Sequence, residues 1–143
     1  MRYAARPVST PDLAELEERA RDARTHAYAP YSKFRVGAAV LVDGRVFTGV
    51  NVENASYPVS VCAERNAIAA AVAAGARSLE AVAVCTDASP PSSPCGACRQ
   101  VLAEFATQLE QVAVVAINPA GERRSWTLAE LLPDAFRAGE LPP

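Results

Sequence analysis

Residues 36–52, VGAAVLVDGRVFTGVNV, form two β-rich runs that are separated only by Asp43 and Gly44. An Asp-Gly pair between such runs is a strong hairpin signal, because both residues of the turn must adopt positive φ. The stretch therefore predicts an antiparallel pair of strands over about 36–42 and 45–52.

A helix is predicted before the hairpin, over about 11–28. The Thr-Pro-Asp run at 10–12 has a hydroxyl for the N-cap, a proline for the first turn and an acid near the positive end of the helix dipole. Apolar residues then recur at three- and four-residue spacing, which gives one buried stripe, and Pro30 ends the helix. Residues 1–9 are expected to be a flexible tail.

Helices and strands alternate after the hairpin. The predicted elements are a helix over about 62–74 closed by Gly75, a strand over 79–86, a helix over about 95–106, strands over 111–117 and 123–127, and a short helix opened by a capping-box pattern at 127–130. Strand–helix–strand alternation implies parallel crossovers, whereas the hairpin adds an antiparallel pair. The chain is therefore predicted to be one α/β domain over 1–143, a three-layer α/β/α sandwich with a mixed five-stranded sheet.

Composition excludes several classes of function. The net charge of −2, without a basic excess, argues against a nucleic-acid partner. The longest apolar stretch, 67–74, is far short of the roughly 18–20 residues that span a membrane, and the N-terminus lacks the apolar region of an export signal. Four cysteines in such a chain favour metal binding or catalysis in a reducing compartment, so a cytoplasmic location is expected. A single histidine, His26, rules out two-histidine zinc motifs.

Three cysteines occupy predicted helix starts. Cys62 begins one helix, and Cys95 and Cys98 lie in the first turn of another. Helix N-termini lower the pKa of a cysteine thiol, and a Cys-x-x-Cys pair can occupy two corners of a tetrahedral zinc site. With Cys62 as a third ligand, the fourth position stays open, as in catalytic zinc sites. Cys85 is expected to be a small core residue; as a fourth ligand it would instead close the site and make it structural.

A carboxylate and a cation accompany these cysteines. Glu64 stands two residues after Cys62, where it would be within reach of a zinc-bound water. Cys-Ala-Glu followed by Pro-Cys-x-x-Cys matches the signature of zinc deaminases, in its three-cysteine form. Three thiolates on one zinc leave a negative charge, which Arg65 and Arg99 are placed to offset.

A polar pair stands at the end of the second hairpin strand. Asn51 and Glu53 are two residues apart, so their side chains point to the same side of the strand. An amide beside a carboxylate suits a vicinal diol, because both groups accept hydrogen bonds from hydroxyls. By spacing alone, the same pair could simply terminate the hairpin.

These motifs together closely resemble the small homotetrameric cytidine deaminases that act on free nucleosides. The resemblance extends from about 26 to 136 and is carried by YAPYSKF at 28–34, VGAA at 36–39, NVENA at 51–55, CAER at 62–65 and SPCGACRQ at 93–100. It implies the following roles: Cys62, Cys95 and Cys98 as ligands of one zinc ion per chain, Glu64 as proton shuttle, Arg65 beside the thiolates, and Phe34, Asn51, Glu53, Tyr57, Ala63 and Phe136 as substrate-binding residues. Among these, Phe136 would reach the site of a neighbouring subunit.

The resemblance further implies a zinc-dependent hydrolase that converts free cytidine and deoxycytidine to uridine and deoxyuridine in pyrimidine salvage. Homotetramers with sites at the subunit interfaces are implied as well. The alternatives are a deaminase of a cytosine-containing nucleoside antibiotic, against which Asn51 and Glu53 argue, a nucleic-acid-editing deaminase, a non-catalytic four-cysteine zinc module and a dithiol redox protein.

Overall fold

A computed structural model describes residues 10–143, so the tail predicted over residues 1–9 lies outside the described residues. The elements are α1 (Thr10–Arg24), β1 (Gly37–Val42), β2 (Arg45–Val50), α2 (Ala63–Ala73), β3 (Leu79–Cys85), α3 (Gly96–Phe105), β4 (Ala113–Ile117), β5 (Arg123–Thr127) and α4 (Leu128–Leu131). Short 3₁₀ turns lie at 57–59, 109–111 and 138–140. The predicted order of helices and strands is confirmed.

The five strands form one mixed sheet in the order β2-β1-β3-β4-β5. The predicted hairpin joins β1 to β2 in an antiparallel pair, with φ values of 49° at Asp43 and 71° at Gly44. β1 is also antiparallel to β3, so β2 and β3 run in the same direction, and β3 and β4 pair in parallel. Each of these two crossovers contains a helix, which confirms the predicted mixture of parallel crossovers and hairpin.

Helices cover both faces of the sheet, as the three-layer prediction requires. On one face, Leu16 and Ala20 of α1 pack in a buried cluster with side chains of β1, β3 and β4. On the other face, a larger cluster joins α2, α3 and α4 to the same strands. None of the helices within residues 10–143 has the length and apolar character needed to cross a membrane.

Two glycines bring helices against the sheet backbone. At Gly37, a Cβ atom would lie 2.2 Å from the Ala20 carbonyl oxygen of α1. At Gly49, it would lie 2.4 Å from both the Ala63 carbonyl oxygen and the Ala67 nitrogen of α2. Only glycine allows helix and strand backbones to approach this closely. Helix α2 can therefore pack this closely on β2 only because residue 49 has no side chain.

The first helix is shorter than predicted and ends at Arg24 rather than near residue 28. The N–H groups that follow the helix donate to carbonyls three residues earlier instead of four, as in the bond of 2.9 Å from His26 N–H to Ala23 C=O. The chain then extends so that Tyr28 N–H donates to Asn51 C=O, which forms a bridge beside the hairpin. This nonlocal pairing, which the helical periodicity cannot reveal, ends the helix early.

Candidate metal centre and active site

Two helix starts meet at one edge of the sheet. Cys62 is the N-cap residue of α2, and Cys95 is the N-cap residue of α3. Because the strands before these helices run in the same direction, both helix N-termini lie at the same edge. Neither cysteine side chain caps its own helix, and Cys98 follows in the first turn of α3. All three sulfurs are thus available to bind the same metal ion.

The three sulfurs have the spacing of a tetrahedral metal site. They lie within 4.8 Å of one another, and the Sγ atoms of Cys62 and Cys95 are 3.9 Å apart. Zinc–sulfur bonds of about 2.3 Å in a tetrahedron separate the ligand sulfurs by about 3.8 Å. In the part of the chain that the structure describes, this is the group of potential ligands that could hold a metal ion. The donor set fits one zinc ion with a fourth position left for another group.

Cys85 belongs to a different part of the molecule. It is fully buried at the end of β3, in the cluster that packs beneath α1, and it does not join the three-sulfur cluster. The sequence alternative of a closed four-cysteine site therefore has no support from the geometry, and Cys85 is a core residue.

The contacts within the cluster favour the thiolate form of Cys62. Hydrogen bonding from the Cys98 thiol, followed by the Arg65 guanidinium and the Cys95 thiol, lowers the pKa of Cys62 to about 5. The contact with Cys62 and burial raise the pKa of Cys98. Arg65 Nη2 donates to Cys62 Sγ at 3.5 Å, and this contact raises the pKa of Arg65 in turn. The structure thus places Arg65 beside a thiolate, as its position three residues after Cys62 on the helix suggests.

Glu64 is a buried carboxyl group on the first turn of α2 and is only 5% exposed. Burial is the main cause that raises its pKa, and the negative charge of Cys62 adds to the effect. A carboxyl group with a raised pKa holds and releases a proton closer to neutral pH than a free glutamate does. Its environment is therefore suited to proton transfer.

Arg99, the second predicted cation, makes its hydrogen bonds to oxygen atoms. Its Nε donates to Pro94 C=O, its Nη1 to Leu131 C=O and its Nη2 to Ser93 Oγ, each at 2.7 Å. These bonds fasten the loop that leads into Cys95 to the end of α4. Through these contacts Arg99 supports the loop that leads into Cys95.

Asn51 links the end of β2 to the neighbouring loop. Its Oδ1 accepts from Val36 N–H at 2.8 Å, and its Nδ2 donates to Phe34 C=O at 2.7 Å. Each side-chain atom therefore holds the backbone on either side of Arg35. Phe34 itself is 39% exposed on this loop.

Glu53 holds the same loop two residues further along the chain. Its Oε1 accepts from the N–H groups of Tyr31 and Ser32 at 2.9 and 3.1 Å, and its Oε2 accepts from Ser32 Oγ. The two hydrogen bonds from Ser32 are the main causes that lower the pKa of Glu53. Ser32 Oγ also accepts from Phe34 N–H at 3.0 Å. Sequence reasoning assigned no role to Ser32, because a serine in a loop carries no periodic or spacing signal.

A cavity of about 330 Å³ adjoins this loop and is lined by Tyr31, Ser32, Glu53, Tyr57 and Ser60. The rings of Tyr31 and Tyr57 meet edge to face, with their centroids 5.7 Å apart. The structure thus brings together two of the predicted substrate-binding residues, Glu53 and Tyr57. Cavities of this size are within the range of small-molecule sites.

The two remaining predicted residues, Ala63 and Phe136, lie in different parts of the chain. Ala63 is fully buried between Cys62 and Glu64, at the first position of α2. Phe136 is 57% exposed and lies after α4, near the C-terminus.

Comparison with known proteins identifies relatives that match most of the chain. Residues 11–122 match the family model described as the zinc-binding region of cytidine and deoxycytidylate deaminases. A cytidine deaminase of Sporosarcina psychrophila is 47% identical over 131 residues, which cover 91% of this chain and 95% of that protein. A cytidine deaminase of Mycobacterium tuberculosis is 44% identical over 132 residues, covering 92% and 94% of the two chains.

Solved structures agree with the sequence comparison. The crystal structure of a cytidine deaminase from Burkholderia pseudomallei superimposes with a TM-score of 0.80 at 49% identity, covering 86% of this chain and 98% of that one. That of the Mycobacterium tuberculosis enzyme gives a TM-score of 0.74 at 43% identity, covering 87% and 97%.

Proposed function

We propose, since this chain belongs to the cytidine and deoxycytidylate deaminase family, that it catalyses the hydrolytic deamination of free cytidine and deoxycytidine to uridine and deoxyuridine, with release of ammonia. The observation that carries the proposal is the open cluster of three sulfurs with a buried carboxyl group beside it. Pyrimidine salvage is the general role that such an activity serves.

Cys62, Cys95 and Cys98 are the residues that would hold one zinc ion. Bound there, zinc would supply Lewis acidity that lowers the pKa of a water molecule in the open position. Arg65 is the residue that would offset the charge of the thiolates, because its guanidinium donates to Cys62 Sγ at 3.5 Å.

Glu64 is the residue that would move protons. Its carboxylate takes a proton from the attacking water and delivers it to N3 of the cytosine ring, which makes C4 electrophilic. The water oxygen adds to C4, and Glu64 passes the second proton of the water to the exocyclic amine. The C4–N4 bond then breaks, ammonia leaves and the uracil ring remains. A raised pKa suits a group that must both accept and donate within one cycle.

Asn51 and Glu53 would hold the ribose, and their remaining hydrogen-bonding capacity supports this role. Each already binds the loop backbone, yet Asn51 retains one amide proton and one lone pair on Oδ1, and Glu53 retains a lone pair on Oε2. A diol could therefore bind without displacing the loop. The Glu53 carboxylate would repel a 3′-phosphate, and the net charge of −2 gives no general attraction to polyanions. Both features favour a free nucleoside.

We also propose a homotetramer with sites at its subunit interfaces. The exposure of large apolar side chains supports this assembly, since removing apolar surface from water drives association. These side chains are Tyr28, Tyr31, Phe34, Val52, Tyr57, Val59, Phe136 and Leu141. In this assembly Phe136 would contact the nucleoside of a neighbouring subunit, with Phe34 packing on the pyrimidine. Four cysteines without a disulfide are typical of reducing compartments, which supports a cytoplasmic location for the enzyme.

An ultraviolet assay of cytidine, with metal content measured in parallel, tests the proposal. Wild type should bind about one zinc per chain and lose its activity with a strong chelator. Glu64→Gln should retain the metal but lose a factor of about 10²–10⁴ in kcat, the usual contribution of a positioned acid–base group. Glu104→Gln, an exposed glutamate on α3, is the matched control and should leave kcat unchanged. Normal turnover in Glu64→Gln, or full activity without metal, would overturn the assignment.

A further inference from the structure

Helix α3, which carries Cys98, also binds a segment near the C-terminus. Residues 132–137, here called the C-terminal segment, follow α4 and contain no helix or strand. The segment begins next to Leu131, whose carbonyl accepts the 2.7 Å hydrogen bond from Arg99 of α3. Its direction from that point is set by Asp134, which adopts a φ of 52°.

Two further hydrogen bonds attach the far end of the segment to α3. Gln100 Nε2 donates to Phe136 C=O at 2.9 Å. In the reverse direction, Arg137 Nη2 donates at 2.5 Å to the carbonyl of Ala106, the C-cap residue of α3. Carbonyls at a helix C-terminus lack partners within the helix, and a cation is favourable there. The chain directly after the Phe136 α-carbon is thus tied to α3 at two consecutive residues.

The ring of Phe136 projects from this anchored backbone and is 57% exposed. Ordering a residue of irregular chain costs roughly 1–2 kcal/mol of conformational free energy. Where the ordering is complete before a ligand arrives, that cost falls on folding and not on binding. An exposed ring on a fastened backbone is therefore prepared to contact a ligand or another subunit.

We propose that Gln100 and Arg137 are positioning residues that hold Phe136 where its ring meets the nucleoside. This inference rests on the proposed function, which places Phe136 at a substrate site. Gln100 lies two residues after Cys98, so one helix fixes both the metal cluster and the aromatic ring. One hydrogen bond holds the Phe136 carbonyl and the other holds the Arg137 side chain, and both affect the substrate only through Phe136.

Gln100→Met is the informative substitution, because methionine preserves side-chain length and helix propensity but cannot donate. Gln100 is exposed, so the variant is expected to fold. One hydrogen bond is worth a factor of about two to ten in an equilibrium. The KM for cytidine should rise by about that factor, with kcat within about twofold and zinc content unchanged, since contact with the base is uniform binding. Gln111→Met, which breaks an exposed glutamine–glutamine hydrogen bond elsewhere, should change neither KM nor kcat.

A double-mutant cycle shows whether Gln100 acts through the ring. In a Phe136→Ala background, Gln100→Met should have no further effect on KM. Additive effects in the two backgrounds, or a fall in kcat and zinc content without a change in KM, would overturn the proposal.

Hydrogen exchange of residues 132–137 tests the attachment of the C-terminal segment without reference to activity. In Gln100→Met these amides should exchange faster than in wild type, whereas in Gln111→Met they should be unchanged. Equal exchange in Gln100→Met and wild type would overturn the inference even if cytidine is the substrate. If wild type releases no ammonia from cytidine, the proposed function fails. In that case the role in substrate positioning fails with it, and faster exchange would establish only a structural attachment.

Discussion

Gly49 should be among the least replaceable residues of this chain, although it has no side chain with which to bind metal or substrate. A Cβ atom at this position would lie 2.4 Å from the Ala63 carbonyl oxygen, 2.4 Å from Ala67 N and 2.9 Å from the Asn66 carbonyl carbon. All three atoms belong to the backbone of α2, so rotation of a side chain cannot relieve the overlap. To reach an ordinary separation of about 3.4 Å, α2 and β2 must move apart by about 1 Å.

The magnitude of the effect follows from this displacement. Overpacking costs typically 1–3 kcal/mol, and a clash with the rigid backbone of a helix belongs at the upper end, about 3 kcal/mol. With an unfolding entropy of about 2.1 cal/mol/K per residue, a chain of 143 residues should lose about 10 °C in Tm. Because Ala63 lies between Cys62 and Glu64, the same displacement shifts both residues relative to α3. A misplacement of about 1 Å can cost about 10²-fold in rate.

Thermal unfolding and steady-state kinetics of Gly49→Ala, at fixed protein and zinc concentration, measure both effects. Gly139→Ala is the control, because a Cβ atom at position 139 would meet nothing within 4 Å and the φ of Gly139 is not positive. The control should match wild type within about 1 °C. A Gly49→Ala variant with a Tm within about 2 °C of wild type and with kcat/KM within twofold would refute the close-packing argument.

Two further substitutions test the charges around the site. Arg65→Gln should weaken zinc retention or activity by about 10- to 100-fold, which is the usual effect of losing a group that supports a metal ligand. Chelator competition measures zinc retention, and kcat measures activity. Wild-type values for both would mean that Arg65 has no role at the site. Glu53→Gln should lower Tm above about pH 5 and lower it progressively less as the pH falls. The pKa of Glu53 in the folded protein is below its ordinary value of about 4.3. The carboxylate therefore stabilises the fold fully at pH values above that ordinary pKa, and this stabilisation is lost as the pH drops through the lower pKa of the folded state. A Tm difference that is independent of pH between 3 and 7 would contradict the role of the carboxylate in holding the loop.

Local signals predicted most of the fold. The Asp-Gly turn, the bounds of β5 and the capping box at Thr127 and Glu130 are all as predicted, because each depends on neighbouring residues alone. Gly75 closes α2 with a φ of 88°, which is again a local requirement. Most of the element ends fall within two residues of the prediction, the C-terminus of α1 being the clearest exception.

Contacts between residues far apart in the sequence could not be predicted from sequence patterns. Nothing in the spacing of Asn51 and Glu53 indicates that they clamp the loop at 28–36, because the partners are mostly backbone N–H and C=O groups, which look alike in every residue. The same holds for Arg99, whose proximity to two cysteines in the sequence suggested a thiolate partner. In the fold its guanidinium meets oxygen atoms of a loop and of α4. Side-chain identity predicted which chemistry was available, and tertiary packing decided where it was used.

The three-sulfur cluster could be predicted because its placement depends on topology more than on detailed packing. β2 and β3 run in the same direction on either side of β1, and each leads into a helix on the same face of the sheet. The positive ends of the α2 and α3 dipoles therefore converge, which favours thiolates at both helix starts. A cysteine at each N-cap and another in the first turn of α3 then meet without any long side chain having to reach across the site. The distance between the two helix starts is set by the packing of α2 against β2, so the spacing of the three sulfurs depends on the glycine at position 49.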